Sequence, residues 1–375
     1  MVRRLLIFAA TMAFAAAPAV ARDLDAEMGH ALFNRAWVAA PASTTADDGL
    51  GPLFNARTCA ACHGAQSGQV VRLGSHAGQG DPVYGAQIQT SSLPALTPEA
   101  RIDLDWDRAT DLRKPRIRLA ALAFGPLAAD TQLGLRRAPA LEGAAALASV
   151  PDSEIHALAA KSAHGRIASL TNEKGEPAIG RLGWKAVSPD LDYQVAIALS
   201  RDMGLSTSRL PGDSGDGTRS EPGWSAAPAH FEVPDVSRAL LVFYLKSIAA
   251  PQGPQPNGPG YDAFVRSGCA ECHASLHDAS GRDLHAYSDL LLHDMGRGLD
   301  DGIAEGAAQS SEWRTAPLWN LRGALESGGL LHDGRARSID EAVRWHGGEA
   351  DASRRRYARL APDERAQLIA FLLPR

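Results

Sequence analysis

Two pentads of one pattern, Cys59-Ala60-Ala61-Cys62-His63 and Cys269-Ala270-Glu271-Cys272-His273, use every cysteine in the 375-residue chain. Both read C-x-x-C-H. On a helical turn, positions i, i+3 and i+4 share a face, so two sulphurs can each bond a vinyl carbon of one haem while the imidazole reaches its iron. The spacing therefore predicts two covalently bound haem c groups, held by Cys59, Cys62, Cys269 and Cys272, with His63 and His273 as iron ligands. A thioredoxin-like pair would follow a strand in a βαβ unit, and zinc would want four ligands in one place, whereas these pairs lie 210 residues apart. No cysteine is left for a structural disulfide.

The first 21 residues carry Arg3 and Arg4, an apolar run over 5–17 and Ala19-Val20-Ala21, the features of a cleaved export signal. About 13 apolar residues are too few for a bilayer core that needs roughly 20. The expectation is a periplasmic protein beginning near Arg22, with no membrane span after signal cleavage. The formal charge is −5, and it becomes −7 once Arg3 and Arg4 are removed. That balance argues against nucleic acid as a partner. The composition, 45% hydrophobic and 22% charged, is that of a chain able to bury a core.

Landmarks recur in order. Arg136-Arg137-Ala138-Pro139 answers to Arg314-Thr315-Ala316-Pro317, and Leu191-Asp192-Tyr193-Gln194-Val195 to Ile339-Asp340-Glu341-Ala342-Val343. Each half closes on a similar apolar run, 238–245 and 365–372. The repeat predicts a mainly α fold of two cytochrome c-like domains, 22–250 and 261–375, with 1–21 as signal and 251–260 as a linker whose prolines and glycines oppose helix. The first domain carries insertions: period-two alternation over 101–106 and 116–119 marks a small hairpin, and 207–230 reads as a surface loop.

A second axial position decides between carrier and catalyst, because two protein ligands saturate the iron while an open site admits a small molecule. In the internal alignment His346 falls opposite Ala198. With His346 as the distal ligand of the second haem, the equivalent place at the first holds a methyl group. Met203 is either a weak sixth ligand at the first iron or core packing, and His76 and His164 are further alternatives. Asp202 is the nearest acid to the open site, or else a capping carboxylate. His332 reads as a turn residue.

These residues resemble the bacterial dihaem cytochrome c peroxidase superfamily and, within it, the di-haem oxidoreductase family of peroxidase-like proteins, also labelled thiol oxidoreductase-like. The resemblance rests on Leu53-Phe54-Asn55-Ala56-Arg57, Ala316-Pro317-Leu318-Trp319-Asn320-Leu321-Arg322, Leu331-His332-Asp333-Gly334-Arg335-Ala336 and the pentads. It implies that His346 occupies the distal-ligand position of the electron-transfer haem, that Gln194 matches a glutamine of the peroxidase site, and that Trp184 lies where an aromatic residue stands between the haems. The glutamate expected about ten residues after that glutamine is replaced here by Gly204. The superfamily's calcium ion is held by backbone oxygens, which leave no trace in a sequence.

The expected function is a haem-dependent oxidoreductase. A soluble or membrane electron donor feeds the second haem, and a small oxidant such as hydrogen peroxide is reduced at the first, with Gln194 and Asp202 as the catalytic candidates. The alternative is a non-catalytic dihaem carrier serving a membrane or iron-uptake partner. Thiol exchange is opposed by the commitment of all four cysteines to thioethers.

Overall fold

The computed structural model describes residues 17–43, 48–107, 111–211 and 231–374. Most of the 1–21 segment expected to be an export signal, and most of the 207–230 insertion, lie outside them. Helices are combined with five two-stranded antiparallel sheets among the described residues, so the fold carries more strand than a mainly α reading implies. No described helix is long and apolar enough to cross a membrane.

The alternation over 101–106 and 116–119 does form a hairpin, Arg101–Asp107 paired with Lys114–Ala120. Behind it, Gln69–Gly74 pairs with Gln132–Arg137. The inward residues Val71, Leu73 and Leu135 join Tyr84 and Ile88 in a small core of their own. Period two is satisfied because one face is apolar and the other meets water.

Both copies of each repeated landmark take matching local structure. The pentads lie on a helical turn, Cys59–Cys62, and a 3-10 turn, Cys269–Glu271. Arg137 and Arg314 each end a strand. The next landmarks are the helices Leu191–Met203 and Ile339–Trp345, and the last are the helices Asp235–Ser247 and Pro362–Leu372. Side-chain oxygens cap three of these elements: Thr58 accepts from the Ala61 N–H (2.9 Å), Asp190 from Tyr193 (2.7 Å) and Ser338 from Glu341 (3.1 Å).

The helix Ala17–Asn34 packs closely on Asp235–Ser247. Gly29 permits the approach, since a Cβ there would meet the Leu240 carbonyl and the Tyr244 side chain. Two larger cores result. One gathers Phe33, Trp37, Val195, Leu199 and Leu241, and also takes Leu276, Leu290 and Trp319 from the second half. The other centres on Phe264, Tyr287, Tyr357 and Leu368. The linker reading needs one correction. Helix begins at Gly258, inside 251–260, with Asn257 as N-cap. Pro259 sits in the first turn, where no intrahelical N–H is required of it.

Candidate functional site

A cavity of about 530 Å³ is lined by both pentads, a size ordinary for cofactor sites. Cys59, Cys62, His63, Cys269, Cys272, His273 and His346 all border it, as do Gln194, Ala198, Asp202, Met203, Trp184 and His164. His76 does not border it; its Nδ1 is bonded to Ser310 Oγ (2.9 Å). Met203 is also a buried member of the first core, so the packing role proposed for it is filled whatever else it does.

The three imidazoles are held alike. Nδ1 of His63 meets the Pro139 carbonyl at 3.1 Å, that of His273 meets Tyr287 O at 2.9 Å, and that of His346 meets Ala342 O at 2.7 Å. A carbonyl only accepts, so the proton sits on Nδ1 and the Nε2 lone pair is free. Tyr287 takes the left-handed φ of 53° while its hydroxyl donates to Pro254 O at 2.8 Å, which pins the carbonyl that His273 uses. Burial pushes all three below the usual histidine range, His273 to about 4. They are neutral near pH 7, the form that binds metal.

The rings of His273 and His346 lie with centroids 6.5 Å apart, tilted by 45°. Two imidazole–metal bonds of about 2 Å each, added to the ring radii, fill that span. At the position that answers to His346 in the first half the arrangement differs. His346 follows the end of its helix, with an extended backbone at ψ 112°, whereas Ala198 is in mid-helix, because Leu191–Met203 runs on. The extra turn carries Arg201, Asp202 and Met203 along the cavity wall. It ends at Gly204, whose φ of 66° closes the helix in the left-handed conformation. The position that a glutamate was expected to fill is thus a helix stop.

Asp202 Oδ1 accepts from Gln87 Nε2 at 2.8 Å, and Gln194 Oε1 is buried without a hydrogen-bond partner. Burial first, and Asp202 second, push the Cys59 thiol up to about 12 and Cys62 to about 11; burial likewise takes Cys269 to about 12. Such thiols are protonated at neutral pH and are poor nucleophiles for disulfide exchange.

Sequence reasoning gave no such role to several groups here, since most of their partners are distant along the chain. Glu305 accepts from Arg201 Nη1 (3.0 Å) and pairs with Arg72. Trp313 stacks on His332, centroids 3.7 Å apart at 5°, with Lys185 Nζ 3.9 Å from the indole centroid. His332 is therefore a buried stacking partner and more than a turn residue. Cys272, Asp289 and His293 also cluster. His293, however, meets Asp289 Oδ2 at 3.0 Å and Glu349 Oε2 at 2.8 Å through its two ring nitrogens, which leaves no lone pair for a metal.

Burial opposes charge on His293, but the hydrogen bond and charge of Asp289, with a further contribution from Cys272, outweigh it and raise the group. Its folded value lies above the unfolded 6.5. The stabilisation is therefore complete below pH 6.5 and is lost as pH rises from there through the raised folded value. Urea titrations should show unfolding free energy falling across that window. His293→Leu, which strands Asp289, should lower it by about 3–5 kcal/mol at pH 6, and an unchanged midpoint would refute the pairing.

The donor set fits haem: paired thiols beside a neutral imidazole occur twice on one cavity whose lining is largely apolar. Arg136 Nε and Nη2 are buried and unpartnered, which further suits a ligand bearing acid groups. Residues 257–374 match the family model described as "Di-haem oxidoreductase, putative peroxidase". No curated protein matches the chain. Among solved structures it is similar to hydrazine synthase of Kuenenia stuttgartiensis, with 17% identity, TM-score 0.26, and 38% of this chain and 56% of that one covered. This chain thus spans little more than half of that relative. It is also similar to the diheme peroxidase BthA of Burkholderia thailandensis, with 16% identity, TM-score 0.41, and 93% and 85% covered.

Proposed function

We propose that this chain is an exported, periplasmic dihaem c-type oxidoreductase of peroxidase-like activity, built from two cytochrome c-like units, 22–250 and 261–375. The observation that carries the reading is the unequal furnishing of two otherwise alike sites. His273 has His346 at 6.5 Å between ring centroids, while the place corresponding to His346 in the other half holds Ala198.

Bound haem supplies at each pentad an iron that exchanges one electron and, where an axial position is free, takes a small ligand. The chain's own residues do the rest. His63, His273 and His346 keep Nε2 aimed by anchoring Nδ1 on backbone carbonyls. Asp202 is the carboxylate that holds or moves a proton beside the first pentad, and the bare Oε1 of Gln194 can accept from a bound oxidant. Trp184 is fixed between the halves by its indole N–H on Arg137 O (2.8 Å), while the Arg314 N–H donates to Trp184 O (3.0 Å). A donor delivers electrons at the His273/His346 side, and hydrogen peroxide, with two electrons and two protons, leaves as two waters at the His63 side.

Electron paramagnetic resonance of the oxidised and half-reduced protein, with and without cyanide, tests this. One low-spin site should ignore cyanide and the other should bind it. If neither haem takes cyanide or carbon monoxide after reduction, the protein is a carrier and the enzyme reading fails.

A further inference from the structure

The arginines of the two repeated landmarks, Arg136-Arg137-Ala138-Pro139 and Arg314-Thr315-Ala316-Pro317, border the cavity and are almost fully buried: Arg136 is 4% exposed, Arg137 7% and Arg314 7%. Their partners are unusual for groups that cannot give up their charge. Arg314 donates from Nε to Gly183 O (3.0 Å) and from Nη1 to Thr315 O (2.8 Å). Arg137 reaches Ser67 Oγ (3.4 Å), Ala324 O (3.3 Å) and Ser327 Oγ (3.0 Å). All of these are neutral. No carboxylate pairs with Arg137 or Arg314 among the described residues. Arg136 is already paired with Asp301 through Nη1 and lies 4.6 Å over the Trp313 ring, and only its Nε and Nη2 lack a hydrogen-bond partner.

Burying a charge without a counter-ion is strongly unfavourable. Burial alone pulls Arg137 down, and it pulls Arg314 to about 10 despite the charge of Asp289. Asp289 cannot repay Arg314, since it is engaged by His293. For Arg137 and Arg314, which have only neutral hydrogen-bond partners, the molecule that fills the cavity is placed to supply the negative charge.

We infer that Arg136, Arg137 and Arg314 are seats for the carboxylates of the bound cofactor, a duplicated anion cradle that selects a porphyrin bearing acid side chains and holds up the potentials of its irons. Guanidinium suits the task because its planar fork matches a carboxylate, whereas Lys offers a point charge. The inference rests on the dihaem reading. It adds to that reading which residues neutralise the cofactor and how the fold biases electron flow.

Arg314→Met and Arg137→Met are prepared as holoprotein, with haem content counted by intact mass before spectroelectrochemical titration. A cation beside the site favours the reduced iron, whose net charge is lower, so its loss should lower the potential. In each variant one of the two midpoint potentials should fall by a tenfold shift in the one-electron equilibrium, about 59 mV. Arg314→Lys and Arg137→Lys, which keep the charge, should recover much of that shift. They also serve if a methionine variant does not fold. Two haems per chain with both potentials unmoved in the variants would overturn this proposal and leave the dihaem reading intact. A chain without haem would overturn the reading itself.

Discussion

Replacing Cys269 and Cys272 by alanine is expected to yield a protein with one covalently held tetrapyrrole in place of two, and the same change at Cys59 and Cys62 should remove the other. All four thiols border the cavity and none is in a disulfide, so no second covalent role confuses the outcome. Cys269 packs against the core of Phe264, Tyr287 and Tyr357, while Cys59 packs against that of Phe33 and Leu199. Each deletion therefore acts on a different core. Removing two sulphurs takes little buried area, about 1 kcal/mol or less each, but it removes the tether of the molecule that fills the cavity. Lost ligand binding lowers stability by mass action, so each variant should melt earlier than the parent. Intact mass after denaturation reads the number of adducts. Two adducts in either variant would show that the altered pentad is not an attachment point.

Much of this arrangement could be read from residue order. The pentads, the strand-end arginines, the helix pair 191–203 and 339–345, and the hairpin all announce themselves through spacing, because their chemistry or periodicity is local. The groups that furnish the cavity between them do not. Glu305 meets Arg72 and Arg201 across more than a hundred residues, and Trp313, on the strand Glu312–Arg314, finds His332 in a later turn. His293 is locked by Asp289, four positions before it, and by Glu349, fifty-six after it. A short pattern cannot encode such meetings, since they depend on how irregular segments fold back. Gly204 is an intermediate case. The absence of a glutamate there is plain in the sequence, but its physical reason, a left-handed helix stop, needs the backbone.

His346→Ala should convert the second site from closed to open. His346 borders the cavity beside His273 with its Nδ1 tied to Ala342 O. Its placement depends on the close turn that follows. Gly348 has φ 51°, and a Cβ there would strike the Asp294 carbonyl. Truncation removes the imidazole without altering that turn, because His346 itself has an ordinary extended backbone. Carbon monoxide binding to the reduced protein should then rise from one equivalent per chain to two, and the low-spin signal that ignores cyanide should disappear. Peroxide reduction should fall by at least tenfold, because on the proposed ligation the loss of one imidazole would shift the potential of the second site, and about 59 mV is already tenfold in a one-electron equilibrium. Gly348→Ala provides an independent check. It leaves the imidazole in place but shifts its support, and should give partial opening with an intermediate stoichiometry. If His346→Ala still binds a single equivalent of carbon monoxide, His346 is not the group across from His273, and the inequality of the two sites must come from elsewhere.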